Sequence, residues 1–398
     1  MTSPAEREWP VEQVRAEFPG CQEQIYVDVA SRCLLATRVR DAIQAHLDDA
    51  EHHGATKEWW FEVVERARAR LAGLLGARTG EIAFTKNTSE GLNIIANGIA
   101  WRPGDSVVVG GESEHPNNLY TWLNLLRFGV DVRVVPTRAG CPDLDALATA
   151  MDHRTRVCAI SWVSFQPGAR ADLARLSALC RTRDVLLVVD GAQAVGVLDV
   201  DVGRVGIDAM AGPTSKGLLG LYGMGFLYCS ERWCERLQPA YLSRFAVDVG
   251  AEQEEVMGAA DFTLAAGARR FEIGNFNYIG AFALDAALSL LVEVGSAAIE
   301  RSVLAASARL VEALRARGLP VLIVEPNHLS HIVCVGDWRP GHYDANPRMW
   351  RLHQILGAEG VRLTVRRGTL RFSFHLWNTL QEVDRIVEIL DRHAASWA

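Results

Sequence analysis

DVLLVVDGAQAVG (residues 184–196) runs apolar without a break, ends that run on Asp190 and continues in small residues around two glycines. A strand with one wet face alternates apolar and polar residues. A strand apolar at every position is one whose sheet is covered on both sides. Further strand-like runs lie outward from this stretch, in EIAFT (81–85), DSVVVG (105–110), DVRVVP (131–136), RVCAISWVS (156–164) and MGFLYC (224–229), several of them continuously apolar. Between these runs, LNIIANGI (92–99), NNLYTWLNLLRFG (117–129), LDALATAM (144–151) and DLARLSALCRTR (172–183) carry apolar residues at helical spacing. Short strands alternating with helices predict an α/β fold built on a mostly parallel sheet.

Residues 38–54 and 59–75 read as two long helices ahead of that sheet. Past about residue 277 the texture changes. Helices are predicted at 279–294, 302–318, 349–360 and 380–397, and strands at LPVLIV (319–324), SHIVCVG (330–336) and TLRFSFH (369–375). This tail is read as a second, smaller α/β domain. The expected division is a large domain over 25–292 and a small one made of 1–24 with 293–398.

The bulk numbers exclude several classes. With 41 basic and 48 acidic residues the net charge is −7, so no basic field gathers nucleic acid or anionic lipid. No run of 18 apolar residues occurs, and the N-terminus is charged from its sixth residue, so neither a membrane span nor a signal peptide is expected. Eight cysteines are scattered without a CxxC pair. They read as reduced, structural thiols of a cytoplasmic chain. The Trp59–Trp60 pair is expected in the core or facing a pocket or partner. No metal ligand set is assigned.

The chemistry concentrates in two segments. Asp190 ends an apolar strand, and GPTSKGLLGLYGMG (212–225) puts Lys216 in a glycine-rich turn. Ligands of α/β sheets bind at the carboxyl ends of strands, where both positions fall. The chain has three lysines against 38 arginines, and Lys216 is the only lysine after Lys86. A lysine that forms an imine, with a carboxylate that keeps a pyridine nitrogen protonated, is what pyridoxal 5′-phosphate requires of a protein. Thr88 and Ser89 lie where a loop enters a helix, a place that favours an anion. The plainer reading, an N-cap at Thr88 with Ser89 in the first turn, uses the same geometry.

TKNTSEGLN (85–93), SEHPNN (113–118), VVDGAQAVG (188–196), TSKGLLGLYGMGFLY (214–228), RRFEIGN (269–275) and LRFSFHLWNTLQEVD (370–384) resemble, in order, the class V aminotransferase family. That family holds cysteine desulfurases, selenocysteine lyases, kynureninase and isopenicillin N epimerase-like proteins. The resemblance implies fold type I, with a seven-stranded-type sheet in the large domain, pyridoxal phosphate as cofactor, and a homodimer with shared active sites. It further implies Lys216 as the imine lysine, Asp190 at the pyridine nitrogen, Gln193 at the ring's 3-oxygen and His115 stacked on the ring. Thr88 and Ser89 would cradle the phosphate with Thr214 or Ser215, and Asn275 would reach the partner's phosphate. Gln166 would be a polar cofactor contact and Arg371 the clamp for a substrate α-carboxylate, with Arg362, Arg366 and Arg367 as weaker candidates.

One departure bears on the reaction. Desulfurases of the family carry a nucleophilic cysteine on a loop before the C-terminal strand. Here that region reads GVRLTVRRGTLRF (360–372), without a cysteine and with little room for a loop. The expectation is therefore a Cα carbanion whose fate is β-elimination from a cysteine-derived substrate, a C–S lyase. Aminotransfer and epimerisation are the alternatives. A sensor or retired scaffold is the non-enzyme alternative, disfavoured because Lys216 and Asp190 are both present and residues 1–24 are too short for a DNA-binding module.

Overall fold

The computed structural model describes residues 11–54, 56–138, 140–248, 261–338 and 346–394. The readings of the N-terminal ten residues and of positions 395–397 in the closing helix lie outside these. A seven-stranded sheet forms the centre: β1 (Ile82–Thr85), β2 (Ser106–Gly110), β3 (Asp131–Val135), β4 (Thr155–Ser161), β5 (Leu186–Asp190), β6 (Ala209–Pro213) and β7 (Gly225–Cys229). Its spatial order is β1-β7-β6-β5-β4-β2-β3. All neighbouring pairs are parallel except those of β7, which runs antiparallel to β1 and β6. The mostly parallel α/β fold expected from the sequence is the one present.

The continuous apolar strands have the physical cause proposed for them. Along β5, Leu187 and Val189 enter one hydrophobic core while Leu186 and Val188 enter a second one. A strand that supplies two cores has no wet face on which to place a polar residue. Around the sheet lie α1 (Thr37–His53), α2 (Lys57–Leu75), α3 (Thr88–Gly98), α4 (Pro116–Leu123), α5 (Leu144–Ala150), α6 (Leu173–Thr182) and α7 (Tyr278–Val294), of which α2 to α6 pack on its strands. The two helices ahead of the sheet are α1 and α2, and α7 packs across both. Trp60 lies there among His46 and Tyr278, its ring N–H donating to Asp49, while Trp59 meets Phe282 edge-on.

The C-terminal part carries α8 (Ser296–Ala316), α9 (Pro347–Ala358) and α10 (Leu380–Arg392), with a three-stranded antiparallel sheet. That sheet is ordered β8 (Ile332–Val335), β10 (Thr369–Ser373), β9 (Thr364–Arg366). Helix α10 starts on a reciprocal capping box between Thr379 and Glu382. Among the described residues no single helix is long and apolar enough to cross a membrane. All eight cysteines are free thiols.

Two expectations need correcting, and one strand was not expected. LPVLIV (319–324) is not a strand: it makes only an isolated bridge between Val321 and Val335, because Pro320 has no N–H to give and no second neighbour pairs with it. The strand expected to reach residue 164 ends at Ser161, after which Ser164 N turns back to the Ala169 carbonyl. Strand β6, AMAGP, carries no β-branched residue, and its place between β5 and β7 makes it a strand in spite of composition.

Candidate active site

The carboxyl ends of β5 and β6 bring the two segments singled out in the sequence together. Gly196, at φ +84°, and Gly217 touch through their backbones. A methyl group on Gly196 would sit 2.2 Å from the Gly217 carbonyl oxygen, and one on Gly217 would sit 2.4 Å from that of Val195. The glycines thus allow the loop after Asp190 to lie against the turn that carries Lys216. His375 Nε2 meets the Gly217 carbonyl at 3.0 Å from the other side.

Within this frame Asp190 is buried and accepts one hydrogen bond, from the Ala192 N–H at 2.9 Å. Burial raises its pKa, and the nearby Lys216 charge opposes that rise. Enclosure pushes the Lys216 amine down to about 8, against the pull of Asp190, and the positive charges of Arg371 and Arg366 lower it further. Lysine and carboxylate therefore lie within each other's field in a dry place. Gln193 donates through Nε2 to the Ala30 carbonyl at 2.9 Å and keeps a buried, unpartnered Oε1.

His115 caps the start of α4, its Nδ1 accepting from Asn117 N–H at 3.2 Å. Burial, with Lys216 and three arginines around it, pushes its pKa down to about 4, so the ring is neutral near pH 7. Phe165 meets it edge-on at 5.1 Å between ring centres. Behind His115, Glu114 is buried and takes hydrogen bonds from Ser161 N (2.8 Å), Ser161 Oγ (2.6 Å) and Asn118 Nδ2 (2.7 Å).

The N-cap of α3 is Asn87 and not Thr88. Its side chain accepts from Glu90 N–H and its carbonyl from Gly91 N–H. Thr88 and Ser89 occupy the first turn, where backbone N–H groups point out of the helix start. Gly225 lets this end approach: a methyl group there would lie 2.9 Å from Asn87 Cα. Thr214 departs from its expected part as a phosphate contact. Its hydroxyl is buried against the Leu221 (2.7 Å) and Met224 (3.1 Å) carbonyls, so its proton already has an acceptor and holds the turn. Ser215 is buried beside it, and its carbonyl accepts from Cys33 N–H.

Arg371 sits on β10 with its guanidinium buried. It donates to the Phe165 carbonyl at 3.0 Å and to Ser31 Oγ at 2.6 Å; Asp28 is 3.8 Å away and Nε has no partner. Burial lowers its pKa from the usual 12.5, and Arg366 adds to that. Gln166 is committed to the neighbouring hairpin, its Nε2 donating to the Arg366 carbonyl (3.0 Å) and Thr369 Oγ1 (2.8 Å). Asn275 is exposed and lines a different recess, of about 250 Å³, with Lys86, Glu90, Gly223 and Asn277.

Strands β9 and β10 are joined by Arg367 and Gly368 alone. Both are left-handed, φ +47° and +75°, as a two-residue turn of this hand demands. A non-glycine residue there costs about 1–2 kcal/mol. Arg367 offsets this by lying over the Phe165 ring at 4.8 Å and donating to the Glu112 carbonyl at 2.8 Å.

The sequence reading missed the groups that surround the named ones. Asp28 and Ser31 belong to a segment with no motif, and their proximity to Arg371 spans over 300 positions. Phe165, Glu114 and His375 each stand next to a residue or motif that was read, and that adjacency was the available signal.

The model of the family described as aminotransferase class-V matches residues 25–386. A probable cysteine desulfurase of Methanothermobacter thermautotrophicus is 32% identical, the match covering 96% of this chain and 98% of the relative. The apo structure of a cysteine desulfurase from Thermococcus onnurineus NA1 superimposes with a TM-score of 0.85 at 24% identity, each chain covered in full. Two structures of the enzyme C-DES, at 24% identity, cover 94% of this chain and 98% of theirs, with TM-scores of 0.83 and 0.82. The first holds glycine covalently linked to its pyridoxal phosphate; the second is described as a cystine C–S lyase with its product cysteine persulfide.

Proposed function

As this chain belongs to the class V aminotransferase family, with pyridoxal 5′-phosphate as its cofactor, we propose that it is a C–S lyase, removing the sulfur substituent of a cysteine-derived amino acid by β-elimination. The observation that carries this reading is the two-residue turn before β10. A desulfurase would need a cysteine on a loop there, and no cysteine follows Cys334. Cys334 itself is buried in β8 with its thiol pushed up to about 12. Cys33, which donates its N–H to the Ser215 carbonyl, is likewise pushed up to about 12 by burial. A thiol must ionise to attack sulfur, so neither is suited to take it up. The sulfur is then left to depart with its own substituent.

The residues fit the cofactor. A dry carboxylate with a single internal hydrogen bond, a buried lysine beside it and an orphaned amide oxygen at Gln193 are groups waiting for a polar heteroaromatic ring. We assign Lys216 to hold it, Asp190 to its ring nitrogen, Gln193 to its 3-oxygen and the neutral face of His115 to stacking. The first-turn N–H groups of Thr88 and Ser89, with Ser215, take the phosphate. When bound, the cofactor supplies an electron sink for bonds at the substrate's α carbon.

The chain's own work is placement and proton transfer. Arg371 presents a buried planar fork to the α-carboxylate, with Ser31 fixing one of its nitrogens. Asp190 retains a proton on the ring nitrogen, a charge-assisted contact strengthened by its dry surroundings. Lys216 Nζ, neutral in a useful fraction because burial depresses it to about 8, would accept the α proton. The bonding pair of the Cβ–S bond leaves with sulfur, and water releases pyruvate and ammonia. The same reading makes the chain a homodimer, with exposed Asn275 reaching the partner's phosphate.

The test is to incubate the holoprotein with S-substituted cysteines and measure pyruvate, ammonia and thiol. Equal amounts of pyruvate and thiol, lost in Lys216→Ala together with the cofactor's visible absorbance, are expected. A spectrum that responds to amino acids without pyruvate would instead make the protein an aminotransferase or epimerase. No cofactor band, even after pyridoxal phosphate is added, would return it to the scaffold reading.

A further inference from the structure

The β9–β10 hairpin pairs Thr364 with Arg371, Val365 with Leu370 and Arg366 with Thr369. Residues directly opposite one another in an antiparallel pair share a face, and faces alternate along each strand. Arg366, Thr369 and Arg371 therefore stand on one face, while Leu370 goes into the core. Arg366 and Arg371 are diagonal cross-strand neighbours, about 7–8 Å apart. Like charges so placed repel each other unless something negative lies between them.

The protein supplies little to fill that gap. Among the described residues no carboxylate forms an ion pair with the Arg366 guanidinium; Asp28, the one carboxylate that feels both arginines, stands off Arg371 at 3.8 Å and is itself raised by burial. The backbone around Arg366 is held on every side by contrast. Gln166 bonds its carbonyl, Thr369 faces it, and the strained Arg367 beside it is locked onto Phe165 and Glu112. Strain retained in a turn is a mark of function when the surroundings hold it in place. The exposed Arg366 charge is also felt by the site's own groups: it is among those that lower Lys216, His115 and Arg371. An exposed cation on a firmly held backbone, at the edge of the site and on one face with the arginine assigned to the α-carboxylate, is placed to meet what projects from the substrate's far end.

We infer that Arg366 is a specificity residue that binds a carboxylate at the far end of the substrate's sulfur substituent, while Arg371 holds the α-carboxylate. This rests on the C–S lyase reading and narrows it to acidic S-conjugates of cysteine. Arginine suits the task because its fork matches a carboxylate with two parallel hydrogen bonds.

The experiment compares S-(2-carboxyethyl)cysteine with its neutral isostere S-(2-carbamoylethyl)cysteine on the holoenzyme, reading kcat/KM from pyruvate release. The acid is expected to be preferred about 10–100-fold, the value of one hydrogen-bonded charge. In Arg366→Ala the ratio of acid to amide is expected to collapse to about twofold, and Arg366→Lys should restore part of it. Rising salt should erode the wild-type ratio, since Arg366 is exposed. A wild-type ratio near one, or a ratio that survives in Arg366→Ala, overturns the inference and leaves the elimination reading intact. If neither compound gives pyruvate, the elimination reading is what fails. The same pair is then titrated against the cofactor's absorbance, where tighter binding of the acid that depends on Arg366 upholds the inference and equal binding overturns it.

Discussion

Arg68 and Arg371 are both buried, yet the protein surrounds them in opposite ways. Arg68, on α2, binds Glu272 through Nη1 at 2.6 Å, reaches Glu65 at 3.3 Å, donates to the Ile82 carbonyl and lies over the Phe84 ring. Its pKa is raised, because two carboxylates outweigh the burial that works against the charge. Arg371 has a hydroxyl, a carbonyl and a carboxylate at 3.8 Å, and its pKa is lowered because burial wins. A buried charge without a full counter-charge is costly to keep. The first arginine is a finished part of the architecture that fastens the 270s segment to β1. The second is left short of negative charge, which is the state the proposed binding of a substrate carboxylate calls for.

The largest effect that could break this contrast is catalytic. Arg371→Leu is expected to lower kcat/KM for S-substituted cysteines by about 10²–10³-fold, the loss of a buried charged contact to substrate. Chemical unfolding should show the variant within about 1 kcal/mol of wild type or more stable, since an undercompensated charge has been removed. A large loss of stability would mean that Arg371 is structural like Arg68. Arg68→Leu should behave in reverse. It strands Glu272 in the core and is expected to cost about 3–5 kcal/mol by the same unfolding assay, while the folded fraction keeps kcat/KM within a few-fold.

A smaller effect sharpens the contrast with a buried acid. Glu114 has three donors, yet burial pushes it up to about 7 from 4.5, with Asp190 adding to the rise. A carboxyl whose folded pKa lies above its unfolded one favours the fold while it is protonated. That contribution is full below about pH 4.5 and is lost as pH rises through about 7. The unfolding free energy of the apoprotein, from denaturant titration, should therefore fall between those pH values by about 1–2 kcal/mol more in wild type than in Glu114→Gln. Equal slopes would show that the three donors outweigh the burial of Glu114 and that it enters the fold ionised.

Much of the fold was legible because its signal is local and repeated. Strands β1, β2, β4, β5 and β7 are largely apolar runs, β3 is rich in valine, and α1 to α10 carry periodic apolar positions. Strand β6 was not legible, since alanine, methionine, glycine and proline in AMAGP carry no β preference; hydrogen bonds from β5 and β7 make it a strand. LPVLIV shows the converse, a strand-like composition whose partners fail to arrive. Of the proposed site, the segments that carry Lys216, Asp190 and Arg371 stood out in the sequence by residue type and motif. The spending of the Thr214 proton within its own turn was not, because the Leu221 and Met224 carbonyls are brought to it by the path of the chain.

By itself the sequence determined the α/β class through apolar periodicity, and pointed to the cofactor and the family through short segments whose resemblance is local in the chain. Only the tertiary structure decided which arginine is satisfied and which is not, and which two share a face. Counter-charges, orphaned donors and cross-strand neighbours depend on distances between residues hundreds of positions apart, and such distances exist only after the chain has folded.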